Sequence, residues 1–301
     1  MFYAYWNQFT DLLSKERWQL PLQQVKQRHC LPDSRFIDID GLSVHYRDVG
    51  DGPVLLCLHG IFSSLHTWQE WTTQLSDDYR VISLDLPNFG ITGPHPDGMR
   101  KQLYSDFLNR FTDALGIDHC YLAGNSLGGW MSYEFAYRFP HKVDKLILID
   151  SAGFFFVPPA TLIAMGLPLV GWPMSHSPLP RKLVHSMVDS TYAQPQRLDD
   201  SIRNRYYDLM RRPGNRRAGA AVVAFIRNNI GFDTSYLPQI PQPTLVMWGK
   251  QDGWIPPAHA TKFEQQLPDC QRIMYHNCGH LPMEELPQHT AQDCRRFLQQ
   301  P

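Results

Sequence analysis

The chain has 301 residues, of which 43% are hydrophobic and 19% charged, and its formal net charge is −1. This balance is typical of a globular protein with a sizeable core, and the length allows a core domain that carries an insertion. The near-neutral charge argues against a protein that binds nucleic acid through its phosphates.

The first 33 residues lie outside the patterns that follow, and we interpret them as an N-terminal extension, predicted to be helical. They lack the basic start of a signal peptide. The six cysteines contain no Cys-x-x-Cys pair, and two of them lie inside apolar runs. These observations predict a cytoplasmic protein with free thiols.

Short apolar runs alternate with helical patterns along most of the chain. The first two predicted strands form a hairpin around Asp40-Gly41, and the later ones are continuously apolar, as in a parallel sheet covered on both faces. The pattern predicts an α/β fold with a mostly parallel eight-stranded sheet flanked by helices. The predicted strands are 35–39, 43–48, 54–58, 80–84, 120–123, 145–149, 244–248 and 271–275, and the predicted helices are 65–75, 102–115, 127–139, 257–266 and 287–298.

The alternation stops after Asp150 and resumes at Thr244. We therefore assign residues 34–152 and 238–301 to the core and residues 153–237 to an inserted, mostly helical cap. Residues 152–180 contain no Asp, Glu, Lys or Arg and are numerous enough to span a bilayer, but Pro158, Pro159, Pro168 and Pro173 would interrupt a spanning helix. A lid helix is favoured over an integral membrane span, with peripheral contact to lipid as the intermediate interpretation.

The sharpest motif is Gly124-Asn125-Ser126-Leu127-Gly128, which lies between a predicted strand and a predicted helix. This is the G-x-S-x-G pattern in its strand–turn–helix context. A tight turn of this kind holds its central residue in a strained conformation and requires small neighbours. The serine hydroxyl then lies beside a helix N-terminus, where developing negative charge is favoured. The motif predicts that Ser126 is a nucleophile.

A serine nucleophile needs a general base and a carboxylate that orients it. His280 lies in the loop Asn277–Pro282 after the last predicted strand, and Asp252 follows the seventh strand. This gives the chain order serine, acid, histidine. Asp150, at the end of the sixth strand, is the competing acid, and Asp252 is preferred.

Other polar residues near strand ends are interpreted as structural. Asp85 is expected to fix the loop after its strand, and His59 to have no catalytic role. The remaining loop and helix histidines show no partner pattern and are predicted to be surface groups: His66, His95, His141 and His259.

The tetrahedral oxyanion of acyl transfer requires two backbone N–H donors. Leu127 follows the nucleophile and is predicted to supply one, and Ile61, after His59-Gly60, is predicted to supply the other. Apolar residues of the cap and of nearby loops suggest a dry acyl or aromatic pocket. The alternative, that they only pack the cap against the core, has equal weight. The candidate pocket residues are Phe62, Phe154, Phe155, Trp254 and Leu281.

Several ordered segments together resemble the α/β-hydrolase family from about residue 36 to residue 297: LHGIFSSLHTW, DLPNFGITGP, LAGNSLGGW, VDKLILIDSAG, LVMWGKQDGWIP and CGHLPMEELP. The chain is most similar to the capped branch, which includes carboxylesterases, meta-cleavage-product C–C hydrolases, haloalkane dehalogenases and epoxide hydrolases. The last two use an aspartate nucleophile where this chain has Ser126. The resemblance therefore implies the α/β-hydrolase fold and serine chemistry.

The favoured function is hydrolysis of a carboxylic ester with a small to medium apolar acyl or aryl group, through an acyl-enzyme. The alternatives are a C–C bond, lactone or amide hydrolase, an acyltransferase with the same three residues, and a non-catalytic binding protein. The chemistry requires no cofactor and no metal. The expected partner is a small apolar molecule, and the choice between monomer and homodimer stays open.

Overall fold

The computed structural model describes residues 18–228 and 232–300. Within these residues, eight strands form one sheet in the order β1-β2-β4-β3-β5-β6-β7-β8. Strands β1, β2 and β4 pair in antiparallel fashion, and β3 to β8 otherwise pair in parallel. The predicted eight-stranded, mostly parallel sheet is thus confirmed. The strands are β1 (Arg35–Ile39), β2 (Leu42–Val49), β3 (Val54–Leu58), β4 (Arg80–Leu84), β5 (Cys120–Asn125), β6 (Val143–Ile149), β7 (Thr244–Gly249) and β8 (Cys270–Tyr275).

The central strands are apolar at consecutive positions because both faces of the sheet are covered. On β5, Leu122 packs into one hydrophobic cluster and Ala123 into the cluster on the opposite face. The same alternation on β6 sends Leu148 to the first cluster and Ile149 to the second. The sheet is therefore the centre of a two-sided core that fixes the positions of its strand ends.

Helices of the core cover both faces of this sheet. The predicted helix 65–75 begins as a 3₁₀ turn, Leu65–Trp68, and continues as an α-helix. The other predicted core helices differ from the structure by one residue at most at each end. The helices outside the insertion are α1 (Leu22–His29), α2 (Gln69–Leu75), α3 (Leu103–Ala114), α4 (Leu127–Arg138), α10 (Ala258–Gln266), α11 (Pro282–Glu285) and α12 (Pro287–Leu298).

Between β6 and β7 the chain forms a helical layer, and we use the word cap for residues 153–237. The division into core and cap stays a proposal. Pro159 precedes the first cap helix, and Pro168 begins the second, so the uncharged stretch is split into short helices. No helix in the described part of the chain is both long enough and apolar enough to cross a membrane. The cap helices are α5 (Ala160–Gly166), α6 (Pro168–His176), α7 (Arg181–Asp189), α8 (Asp200–Met210) and α9 (Asn215–Asn228).

Of the predicted N-terminal extension, residues 1–17 lie outside the described residues, and α1 lies in the remainder. Trp18 contacts the cap: its ring lies under the guanidinium of Arg216, 3.6 Å from the ring centroid. Its carbonyl accepts a hydrogen bond of 2.7 Å from Arg211 Nε. The described part of the extension therefore joins the cap to the core.

Candidate active site

Ser126 occupies the turn between β5 and α4, at the carboxyl edge of the sheet. Its backbone is strained, with φ 56° and ψ −117°. The flanking glycines are required by space: a Cβ on Gly128 would lie 2.3 Å from the carbonyl oxygen of Leu58, and one on Gly124 would lie 2.3 Å from Ser132 Oγ. The Ser126 N–H donates to the Ile149 carbonyl at 2.9 Å, which helps to hold the turn.

His280 and Asp252 form a buried pair beside this turn. His280 Nδ1 lies 2.8 Å from Asp252 Oδ2. The other carboxylate oxygen accepts backbone N–H bonds from Trp254 at 2.7 Å and Ile255 at 3.0 Å. Burial opposes the charged form of Asp252, yet the neighbouring His280 and these donors hold its pKa below the ordinary value. An ionised Asp252 accepts the Nδ1–H of His280 and leaves Nε2 free to take a proton.

Asp150, the residue after β6, lies close to both members of this pair. Asp150, Asp252 and His280 place side-chain atoms within 4.8 Å of one another, and Asp150 Oδ1 accepts the Gly249 N–H at 3.1 Å. Burial, followed by the charge of Asp252 and a hydrogen bond to it, raises the pKa of Asp150 well above its ordinary value. The raised pKa favours a neutral Asp150 beside the ionised Asp252. Of the two candidate acids, the one that contacts His280 is Asp252.

Asn125, which sequence reasoning did not single out, links the serine turn to the histidine loop. Its Nδ2 donates to the carbonyl of Ile149 and to the carbonyl of His280, both at 3.1 Å. The signal in the sequence was a polar residue at the end of a continuously apolar strand. A side chain in that position needs a buried hydrogen-bond partner.

The cap also holds the histidine loop. The His280 N–H donates to the carbonyl of Thr191, which follows α7, at 2.7 Å. Glu285 accepts the Gly279 N–H at 2.6 Å and the Ala193 N–H at 3.0 Å, so one carboxylate bridges the loop and the cap. The position of His280 therefore depends on both layers of the molecule.

The two predicted oxyanion donors lie next to Ser126. Leu127 is the first residue of α4. Ile61 follows Gly60, and a Cβ on Gly60 would lie 3.1 Å from Ser126 Cβ, so this loop packs directly against the serine. Ile61, Ser126 and Leu127 line one cavity. Two backbone N–H groups near the serine are what a tetrahedral oxyanion requires.

Two cavities meet at Ser126. The larger has a volume of about 290 Å³ and extends under the cap, and the smaller has about 50 Å³ and also contacts His280. The structure places Phe154 and Phe155 on the larger cavity, Phe62 and Leu281 on the smaller, and Trp254 on both. The serine therefore has room on two sides, as a substrate with two unequal substituents requires.

Trp254 fixes the ring of His280. The two rings stack at a centroid distance of 5.6 Å and an interplanar angle of 19°. The indole Nε1 donates to Ser190 Oγ in the cap at 3.0 Å. Trp254 is thus a wall of both cavities and a contact between cap and imidazole.

The predicted role of Asp85 is confirmed. Its carboxylate accepts backbone N–H bonds from Leu65 at 2.8 Å and Ile91 at 2.6 Å, which ties two loops to the end of β4. The structural role of His59 is also confirmed, since its Nε2 accepts the Leu86 N–H at 3.0 Å and its Nδ1 donates to the Gly60 carbonyl at 2.7 Å.

The prediction of surface histidines was wrong at three of four positions. His66, His95 and His259 are buried, and His141 is exposed. His66 Nε2 donates to the carbonyl of His29 at 2.7 Å, and burial lowers its pKa to about 3. A neutral imidazole with a partner for its N–H can be buried in a loop, which the absence of a motif does not reveal.

A second serine–histidine–aspartate chain lies in the core. Ser34 Oγ is 2.7 Å from His45 Nε2, and His45 Nδ1 is 2.8 Å from Asp85 Oδ2. Both His45 and Asp85 are fully buried, and Asp85 is committed to two loops. The same hydrogen-bond order therefore serves as a structural link here, and the adjacent cavities distinguish Ser126.

The chain is similar to known proteins over most of its length. A model of the alpha/beta hydrolase fold family matches residues 53–287. The chain is 28% identical over 254 residues to 2-hydroxy-6-oxo-2,4-heptadienoate hydrolase of Pseudomonas putida, covering 82% of this chain and 89% of that protein. It is also 28% identical over 254 residues to Lipase 1 of Psychrobacter immobilis, covering 82% and 77%. The crystal structure of a bacterial membrane phospholipase A matches with TM-score 0.74 and 26% identity, covering 96% and 91%.

Proposed function

The chain belongs to the alpha/beta hydrolase fold family, and from this premise we propose that it is a serine hydrolase that cleaves a carboxylic ester through Ser126, His280 and Asp252. The family and its relatives support a hydrolase, and the fold that the sequence implied is that of the family. The bond cleaved, the catalytic residues and a cytoplasmic location are our proposal. Free thiols on all six cysteines are in keeping with that location.

The proposed reaction has two steps. His280 Nε2 takes the proton of the Ser126 hydroxyl as Oγ attacks the ester carbonyl, and Asp252 stabilises the resulting imidazolium. The N–H groups of Ile61 and Leu127 stabilise the oxyanion. His280 then protonates the leaving alcohol as the C–O bond breaks. Water, deprotonated by the same imidazole, releases the acid and restores the serine.

The larger cavity is the observation that carries the ester proposal. Apart from Ser126 and Arg227, the described residues that line it are apolar or glycine. Arg227 lies at its rim, where it donates to the Gly166 carbonyl. Such walls suit an uncharged acyl or aryl group, because a carboxylate placed among them would lose its hydration, and Arg227 is the one cation among the described lining residues. The volume lies near the lower end of the roughly 300–1,000 Å³ of small-molecule sites, in keeping with a small to medium group.

Cleavage of a C–C bond is the second candidate, and one observation favours it. The similar Pseudomonas putida protein is named as a hydrolase of 2-hydroxy-6-oxo-2,4-heptadienoate. That compound carries a carboxylate, a hydroxyl group and a ketone. Among the described residues of the two cavities, Arg227 alone carries a permanent positive charge. A dienoate would therefore have to place its carboxylate beside Arg227.

The test is a direct competition between the two substrates. The intact protein is assayed with p-nitrophenyl butyrate and with 2-hydroxy-6-oxo-2,4-heptadienoate under the same conditions. We expect kcat/KM for the ester to exceed that for the dienoate. A larger kcat/KM for the dienoate would replace the ester proposal with C–C hydrolysis. Turnover of the ester only when a second alcohol is supplied would assign the protein to acyl transfer.

A further inference from the structure

The outer surface of the cap exposes large apolar side chains. Seven of the ten exposed large apolar residues in the described chain lie between positions 155 and 172, so they are concentrated in one place rather than scattered. Contiguous exposed apolar surface marks a binding site more often than a solvated one. We call this set the apolar cap face: Phe155 (78% exposed), Val157 (74%), Ile163 (40%), Leu167 (41%), Leu169 (91%), Val170 (42%) and Trp172 (63%).

This face adjoins the larger cavity. Phe155 and Ile163 belong to the face and also line the cavity that ends at Ser126. Helices α5 and α6, which carry most of the face, pack against each other and against α9, which supplies further cavity walls. An apolar chain can therefore pass from the face to the serine along apolar side chains.

The permanently charged side chains between residues 151 and 188 are both basic. Residues 151–188 contain no Asp or Glu, and Arg181 and Lys182 at the start of α7 are exposed. Helix α9 carries three arginines and no acidic residue. Arg217 and Arg227 are exposed, whereas Arg216 is buried against Trp18. One of them, Arg227, donates to the Gly166 carbonyl at the end of α5. Apolar residues with a basic border are the composition of a surface that binds anionic lipid.

We propose that the apolar cap face docks on a lipid bilayer that contains anionic lipid. Leu169 and Trp172 enter the acyl-chain region, and Arg181, Lys182 and Arg227 lie at the level of the head groups. The mouth of the larger cavity then opens into lipid. A second copy of this chain is a poorer occupant, because two basic borders would face each other without acidic partners.

The proposal concerns binding and needs no turnover, so it fails or succeeds independently of the ester proposal. The experiment is sedimentation of the full-length protein with vesicles of phosphatidylcholine, with or without roughly a third phosphatidylglycerol. We expect binding to the anionic vesicles that weakens as salt is added. The double variant Leu169→Ser/Trp172→Ser should reduce the binding constant by about a hundredfold, since each large apolar side chain is worth about tenfold or more.

Further measurements distinguish membrane docking from loss of folding and from non-specific adsorption. The double variant should unfold at nearly the same temperature as the intact protein, because both side chains are mostly exposed. Leu22→Ser changes an exposed apolar residue on α1, outside the cap, and should leave binding unchanged. Arg181→Gln/Lys182→Gln should weaken binding to anionic vesicles and leave binding to pure phosphatidylcholine as it was.

Three results would overturn the proposal. The first is vesicle binding that is absent in the intact protein or equally strong in the double variant. The second is a homodimer, measured by light scattering, that the double variant converts to a monomer, which would make the face a contact between copies. The third is vesicle binding by the variant Phe2→Ser/Trp6→Ser when the intact protein does not bind. That result would mean that residues 1–17 occupy the apolar cap face.

Discussion

The carboxyl edge of the sheet and the cap above it differ in the burial and polarity of their side chains. At the sheet edge, Ser126, Asp252 and His280 are buried, and backbone groups fix each of them. On the outer cap, Leu169 and Trp172 are mostly exposed. The sheet edge is a rigid arrangement of a few polar atoms, whereas the cap is an apolar layer with little polar detail. This difference suggests that the core determines the reaction and the cap determines the substrate.

The largest effect is expected from the acid that contacts the imidazole. Asp252→Asn should lower kcat by about 10⁴-fold, because an amide cannot hold His280 in the tautomer that leaves Nε2 unprotonated. Asp150→Asn should keep kcat within a few-fold, because an amide, like a neutral carboxyl group, adds no charge beside Asp252. Steady-state kinetics on p-nitrophenyl butyrate measures both. Equal losses in the two variants would contradict a neutral Asp150.

The contrast in packing predicts the next effect, on stability. Leu122→Ala removes a fully buried side chain from β5 and should lower the free energy of unfolding by about 2–5 kcal/mol. Leu169→Ala, the matched change on the outer cap, should stay within about 0.5 kcal/mol. Urea denaturation of the two variants makes the comparison. A similar loss in both would mean that Leu169 is covered in solution.

Positioning of the imidazole by Asn125 predicts a smaller effect. Asn125→Leu keeps the volume but removes the donors to the carbonyls of Ile149 and His280, so kcat should fall by roughly tenfold to a hundredfold. Ser132→Ala, which removes a buried hydroxyl bonded to the Gly128 carbonyl at 2.8 Å, is the control and should not change kcat. If both variants behave alike, Asn125 has only a general structural role.

The smallest effect should come from the cap wall and should be confined to substrate preference. Val223 on α9 lines the larger cavity, and Val223→Phe fills part of it. The ratio of kcat/KM for the butyrate ester to that for the acetate ester should fall by about tenfold. Ala221→Phe adds the same ring at an exposed position of that helix and should leave the ratio unchanged. An equal change in both variants would show that the effect does not come from contact between Val223 and the acyl group.

Much of the core was predictable because its signals are local. The strands are continuously apolar, and Gly124, Ser126 and Gly128 form a motif whose spacing follows from one tight turn. The contacts that hold His280 were not predictable, because they join residues distant in sequence: Asn125 to the carbonyl of a residue 155 positions away, and Thr191 in the cap to the same loop. Their polar atoms show no spacing that a sequence pattern can detect.

The cap was predictable in composition only. The prolines correctly indicated that residues 152–180 do not form one long helix. Which side of α6 faces the core was not predictable, because its residues are apolar around the whole helix and show no stripe. The buried histidines were missed for a related reason: a neutral imidazole is accepted wherever its N–H finds a partner, and partners such as the His29 carbonyl are backbone atoms.

We propose that Ser126 attacks an ester carbonyl. The most direct measurement is the rate of p-nitrophenyl ester hydrolysis from acetate to palmitate by the intact protein and by Ser126→Ala, with the unfolding temperature of both proteins recorded. We predict that the intact protein is active with a preference for short or medium acyl chains, and that the variant folds but loses activity by at least about 10³-fold. Equal activity in the two proteins, or a folded intact protein that hydrolyses none of the esters, would contradict the claim.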